Sequence, residues 1–225
     1  MKKYINHRFS LLFSIVFLYV NLSFLTRIIF LVWTAKDVDF NFVPLLRAFL
    51  TGFVFDISAG LSFLLLYAVY LLLFPKRWIG SLADKVFTYF YLSIVLIIIF
   101  FSLMAEFPFW DEFGVRFNFI AVDYLIYTYE VVSNINQSYP LPLIIAVLLA
   151  LVVGTFFLLH KKGILRNTFS DKRSIRIRAV YAVPVLLIGF LLLGVMKNKQ
   201  ADFSNNLVVN ELGKNGVFSF FAAFR

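Results

Sequence analysis

The sequence contains no cysteine and only two histidines. The absence of cysteine excludes disulfide bonds, thiolate metal sites and cysteine nucleophiles. His7 lies beside the N-terminus and His160 at the end of an apolar run, where we interpret it as an interfacial residue. No stretch has metal-ligand spacing, a phosphate-binding glycine loop or a nucleophile beside a base. We therefore expect this chain alone to carry no catalytic residue, metal or cofactor.

Charged residues are also few, at 15% of the chain against 62% hydrophobic and 20% aromatic residues. Repeated apolar runs of about 20 residues are typical of an integral membrane protein. The net charge of +9 does not indicate a nucleic-acid partner, because in a membrane protein the location of the positive charge matters more than its total. The expected partners are instead membrane phospholipids.

Five segments are long and apolar enough to cross a bilayer as helices. They lie near residues 9–33, 44–74, 86–106, 140–160 and 177–196. The first has too long an apolar stretch for a signal peptide and no small-residue cleavage site follows it, so we interpret it as an uncleaved anchor. The sequence predicts an all-α membrane protein, a five-helix transmembrane domain over 1–196.

Lysine and arginine near the spans predict the orientation, because cytoplasmic loops retain them. Residues 1–8, 75–85 and 161–178 hold 13 basic and 2 acidic residues, whereas loops 34–42 and 107–139, with Glu106, hold 2 basic and 7 acidic. We expect a cytoplasmic N-terminus and, with five spans, an extracytoplasmic C-terminus.

A periodic polar stripe predicts an amphipathic outer-surface helix over 116–134, between spans three and four. Its polar residues recur at spacings of seven, four, three and four, which is one face of a helix. They are Arg116, Asp123, Tyr127, Glu130 and Asn134. The helix is either a connector without a chemical role or a docking surface for a soluble domain or a lipid headgroup.

Four ionisable residues lie within or at the ends of predicted spans, where burial in hydrocarbon is costly. Arg27, Arg47 and Glu106 have similar predicted depth at the extracytoplasmic rim, so they are candidates for binding a lipid phosphate; the alternative is snorkelling and an interhelical pair. Asp56 lies about 13 Å deeper than Arg47 at helical rise and on the opposite face. We interpret Asp56 as an intramembrane polar contact, with Ser or Thr hydroxyls as candidate partners unless the carboxylate is protonated; the alternative is a proton relay, which the absence of a second acidic residue at its depth in a span disfavours.

The end of the chain, 197–225, is too polar for a sixth span. Its last apolar stretch, VFSFFAAF, is too short to cross a bilayer. We interpret the segment as an extracytoplasmic linker that ends in the start of a juxtamembrane helix.

Three stretches carry a resemblance to a known family: GFVFDISAGLSFLL, WDEFGVRFNFIAVDYLIYTYEVVSNINQSYP and NELGKNGVFSFFAAFR. The chain resembles the N-terminal membrane part of lipoteichoic-acid-synthase-like proteins, a sulfatase-fold family that includes phosphoglycerol and phosphoethanolamine transferases. The resemblance implies that a catalytic domain follows the fifth span, with a threonine nucleophile and a divalent metal (Mn, Mg or Zn). Nothing in this chain matches that apparatus.

The expected function is that of a membrane anchor that presents a donor lipid to such a transferase. The enzyme would move a phosphoglycerol or phosphoethanolamine headgroup to an extracytoplasmic glycan or lipid acceptor. The expected location is the bacterial cytoplasmic (inner) membrane. Two alternatives stay open: a non-catalytic lipid sensor or regulator, and a small transporter, which the odd number of spans and the absence of an evident repeat disfavour.

Overall fold

The computed structural model describes residues 7–38, 40–126 and 140–224, and these residues form helices with no β-strand. Five helices are long and apolar enough to cross a membrane, as predicted. They are α1 (Ser10–Trp33), α2 (Phe42–Ser62), α4 (Leu82–Phe113), α6 (Leu141–Lys161) and α8 (Ile175–Val195). The shorter helices are α3 (Leu65–Leu73), α5 (Phe119–Ile126), α7 (Ile164–Ser170), α9 (Leu207–Leu212) and α10 (Gly216–Ala222), with 3₁₀ turns at Lys76–Trp78 and Asn198–Ala201.

The two ends of the bundle differ in charge, and we name them accordingly. The basic end is where α1, α4 and α8 begin and where the basic loops 75–85 and 161–174 lie. The acidic end is where α1 and α4 end and α2 begins, near the acidic loops 34–42 and 107–118.

The prediction of a single helix over 44–74 is wrong, because α2 and α3 are separate helices. At the break the Ser62 hydroxyl donates to Ala59 O at 2.7 Å, and Leu64 N bonds Leu61 O in a tighter turn. Tyr91 Oη of α4 donates to Phe63 O at 2.6 Å, so the carbonyl that leaves the helix ladder keeps a partner. Apolar periodicity does not reveal such a break, because both helices have the composition of a span.

Helix α4 is longer at both ends than the predicted span 86–106. It begins after Ser81, whose hydroxyl accepts from Asp84 N, as an N-cap does. It ends at Gly114, which has φ +66 in the left-handed region that favours glycine. Its last turns also bury Phe109 and Trp110, so packing extends the helix past the hydrocarbon length that the prediction used.

Helices α1, α2, α4 and α8 surround the main apolar core, and α3 packs against α8. Helix α6 lies at the edge of the bundle: of its residues only Val152 and Leu159 are buried. The large apolar side chains that remain exposed on the five long helices, Phe17 and Val153 among them, are what a lipid-facing surface requires.

The segment after α8, which the sequence predicts to be a linker ending in the start of a juxtamembrane helix, is compactly folded. It folds back onto the bundle through the 3₁₀ turn, α9 and α10, which contact α1, α2 and α4. Val209, Leu212 and Val217 are almost fully buried. We refer to residues 198–222 as the C-terminal segment.

Candidate functional site

A buried ion pair joins the first two long helices. Arg27 of α1 donates from Nη1 to Asp56 Oδ2 at 2.8 Å and from Nη2 to Asp56 Oδ1 at 3.0 Å, and both side chains are fully buried. This bidentate geometry is the one in which a guanidinium matches a carboxylate best. Asp56 thus makes the intramembrane polar contact with a charged partner, which the sequence argument did not name.

Two further polar side chains surround Asp56. The Ser23 hydroxyl donates to Asp56 Oδ1 at 2.7 Å, and Asn215 Nδ2 donates to the same oxygen at 2.8 Å. Asn215 also exchanges hydrogen bonds with Tyr19. The carboxylate therefore accepts from three side chains, which is how a charge is tolerated away from water.

The backbone of α2 makes room for the guanidinium at Gly52. A Cβ at this position would overlap the side chain of Arg27, with Nε at 2.5 Å. Glycine therefore permits Arg27 to lie flat against α2, one helical turn from Asp56.

The same arginine holds the C-terminal segment. Arg27 Nε donates to Leu212 O at 2.7 Å and Nη2 approaches Lys214 O at 3.4 Å. Asn215 continues the connection, because its Oδ1 accepts from Phe218 N at 3.0 Å and caps α10. One buried network, which we call the Arg27 network (Tyr19, Ser23, Arg27, Asp56 and Asn215), thus joins α1, α2 and the C-terminal segment.

A second buried pair, Glu106 with Arg116, lies beside the first residue of α10. Arg116 Nη1 donates to Glu106 Oε2, and a Cβ at Gly216 would overlap the Glu106 carboxylate. Arg116 N donates to Glu211 Oε2 at 2.9 Å, and its guanidinium carbon lies 4.9 Å from the centroid of the Phe30 ring. This pair fastens the loop after α4 to α9 and α10.

Lys214 closes the exposed side of the C-terminal segment. Its Nζ lies 2.7 Å from Glu211 Oε1 and 3.2 Å from Asp202 Oδ1. Burial lowers the pKa of the Lys214 amine, but the two carboxylates outweigh burial, so the pKa lies above its ordinary value. Lys214 is therefore charged at neutral pH.

Arg47 has a different setting from Arg27 and Glu106. It is exposed, and its guanidinium carbon lies 4.4 Å from the centroid of the Phe203 ring. Phe203 lines a cavity of about 320 Å³ at the acidic end, where the side chains are mostly amides and hydroxyls. The lining residues are Asn41, Pro44, Phe203, Ser204, Asn205 and Asn206.

The structure thus sets Arg47 apart from the other two residues predicted to form one lipid-binding rim. Arg27 and Glu106 are buried and face protein partners, and only Arg47 is open to a ligand. The predicted depths were similar, but depth says nothing about which face of the helix a residue occupies.

The prediction of a surface helix over 116–134 is also wrong at its beginning, in the part that the structure describes. Helix α5 begins at Phe119, so Arg116 precedes it and is buried against Glu106 rather than exposed on a stripe. Asp123 is exposed on α5. Tyr127, Glu130 and Asn134 lie outside the described residues.

Sequence reasoning missed a third ion pair, at the basic end. Arg8 donates from Nη1 and Nη2 to Asp84 at 2.8 and 2.6 Å, and Tyr70 Oη and Gly80 N donate to the same carboxylate. The spacing Ser81-x-x-Asp84 is a helix-start pattern that would have identified Asp84 as an N-terminal residue of α4. The sequence around Arg8 did not predict this pairing, because Arg8 was counted only among the basic residues that indicate the orientation of the chain.

In the described part of the chain no three histidine, aspartate or glutamate side chains come together as metal ligands. In each of the three buried pairs the charge faces an opposite charge of the protein, although Arg8 Nε and Arg116 Nε and Nη2 make no hydrogen bond within the described residues. We interpret the three pairs as structural contacts. Comparison with family models, curated proteins and solved structures gives no match to this chain.

Proposed function

We propose that the chain is the membrane domain of an extracytoplasmic phosphoglycerol or phosphoethanolamine transferase. It crosses the bacterial cytoplasmic membrane five times, with its basic end in the cytoplasm and its acidic end outside. The five apolar helices, the unequal distribution of lysine and arginine and the resemblance to lipoteichoic-acid-synthase-like proteins support this proposal.

The observation that carries the proposal is the attachment of the C-terminal segment by the Arg27 network. An anchor alone needs only spans, and a flexible linker would suffice to tether a soluble domain. Here the chain after the fifth span is instead held by buried hydrogen bonds from Arg27 and Asn215. A catalytic domain that follows would therefore start from a fixed position relative to the bilayer.

Donor presentation is assigned to Arg47 and the cavity beside Phe203. A guanidinium binds phosphate in a bidentate manner, and amide and hydroxyl side chains suit a glycerol or ethanolamine headgroup. Arg27 and Glu106 act by holding the C-terminal segment. Asp123 on α5 is the described residue that contributes to the proposed docking surface.

The first experiment is to read the coding sequence downstream of Arg225. An open frame that encodes a threonine with acidic and histidine metal ligands would support the transferase. A downstream domain that lacks these residues would favour the lipid-sensing regulator, and a stop codon would overturn the proposal.

A second experiment isolates the donor site in the full-length enzyme. We expect Arg47→Gln to lower turnover of the lipid donor while hydrolysis of a soluble phosphoester is unchanged, because only the lipid substrate uses the membrane domain. Equal loss of both activities would contradict donor presentation by Arg47. Lys36→Gln, a change of charge in the adjacent loop, is the matched control.

A further inference from the structure

An apolar groove lies between part of helix α10 and helices α2, α4 and α8. Its volume is about 370 Å³, and α2, α4, α8 and α10 all contribute to its walls. Among the residues that line it are Ala59, Ser62, Ile98, Leu193, Phe221 and Ala222.

The groove lies near the middle of helix α4. Ile98 is at the middle of the 32-residue helix α4, so roughly 20 Å of helix extends beyond it in each direction. Phe221, which also lines the groove, is 57% exposed, so the groove is open beside it. Because α4 is long and apolar enough to cross a membrane, bilayer hydrocarbon is the medium expected around its middle.

Water cannot fill this space favourably. Among the described residues that line the groove, Ser62 has the only polar side chain, and its hydroxyl already donates to Ala59 O at 2.7 Å. A buried water needs roughly two to four polar partners, and an apolar cavity of ~150 Å³ stays dry yet holds benzene. An empty groove would forfeit the dispersion contacts of its walls.

We propose that the groove is a binding site for one acyl chain of a bilayer phospholipid. The chain inserts beside Phe221 and packs between α10 and the lining residues of α2 and α4. The site binds the acyl chain and does not distinguish headgroups, because no charged side chain is found among its described lining residues. Lipid binding thereby adds apolar contacts to α10, which is also held by its polar attachment at Asn215. This inference concerns the membrane domain alone and does not depend on the transferase activity.

The test uses the full chain in nanodiscs that contain a phospholipid with a diazirine at mid-chain. After illumination, mass spectrometry maps the cross-linked peptides. We expect cross-links to the peptides that contain Ala59 and Ala222. Ala222→Trp fills the groove and should abolish the Ala59 cross-link, whereas Ala223→Trp, at an exposed neighbouring position, should preserve it.

Two variations keep the test decisive. If Ala222→Trp does not yield folded protein, Ser62→Leu fills the groove from α2 and should cause the same loss. Phosphatidylglycerol and phosphatidylcholine probes with the same chain should cross-link equally. Three results would overturn the proposal: a strong headgroup preference, a cross-link at Ala59 that persists in both filled variants, or no groove cross-link in the unmodified chain.

Discussion

Arg27 is the residue on which the attachment of the C-terminal segment most depends. Its Nε, Nη1 and Nη2 atoms all bond protein oxygens, and its side chain is fully buried. Removing one partner of a buried pair leaves an uncompensated charge and costs roughly 3–5 kcal/mol. We expect Arg27→Gln to lower the melting temperature by roughly 6–20 °C, at about 2–4 °C per kcal/mol for a chain of this length. Thermal unfolding of purified protein in nanodiscs measures the shift.

The matched control is Arg47→Gln, the same change at an exposed arginine. Exposed substitutions usually alter stability by less than about 0.5 kcal/mol, so its melting temperature should equal that of the unmodified chain. Equal shifts in the two variants would show that the Arg27 pair does not stabilise the fold.

Glycine at 216 is required by the Glu106 carboxylate, which occupies the space that a Cβ would need. We expect Gly216→Ala to destabilise the docking of α10 by about 1–3 kcal/mol, because overpacking forces neighbours to move. Gly194→Ala in α8 is the control, since no atom lies within 4 Å of the added Cβ and alanine favours a helix. Chemical denaturation that follows near-ultraviolet circular dichroism compares them; no loss in Gly216→Ala would contradict the close approach.

Sequence reasoning could place these charges in the membrane but could not pair them. The rise per residue of a helix gave the depth of Asp56, and the 3.6-residue period placed it on the opposite face of α2 from Arg47. A hydroxyl partner was expected for Asp56, and Ser23 supplies it. Asn215 is 159 positions away from Asp56, and nothing in local periodicity indicates such a contact. The contact between Asn215 and Asp56 depends on tertiary packing.

At the scale of elements, Asn215 combines two roles. It caps α10 and bonds Asp56, so its loss removes an N-cap worth about 1 kcal/mol together with buried hydrogen bonds. We expect Asn215→Ala to release the C-terminal segment while the five spans stay folded. Limited trypsin digestion in nanodiscs should then cut faster after Lys214, whose side chain is only 17% exposed in the docked state.

The control for this prediction is Asn41→Ala, which removes the N-cap of α2 at an exposed position outside the Arg27 network. It should leave cleavage after Lys214 unchanged. Faster cleavage in both variants would mean that loss of any helix cap loosens the bundle. It would contradict the proposal that Asn215 specifically holds the C-terminal segment.

The elements themselves were predictable to different degrees. Long apolar runs predicted α1, α6 and α8 to within a few residues, because lipid demands about 20 apolar residues per span. The break between α2 and α3 was missed because it depends on Tyr91 of another helix. The C-terminal segment was interpreted as a linker because its polarity excluded a span, and composition does not distinguish an exposed segment from one held by buried hydrogen bonds.

For the whole molecule, the proposed orientation places the acidic end outside the cell. The chain has no cysteine, so a single introduced thiol can be labelled without background. Asn205 and Ser170 are exposed near opposite ends of the bundle, which makes Asn205→Cys and Ser170→Cys a matched pair. In intact spheroplasts, a membrane-impermeant maleimide should label Asn205→Cys, and should label Ser170→Cys only after permeabilisation, because basic loops are retained in the cytoplasm. The reverse pattern would turn the C-terminal segment toward the cytoplasm, and the transferase proposal would fail because its acceptor lies outside. Labelling of both sites in intact spheroplasts would instead show that the chain does not separate its two ends across the membrane.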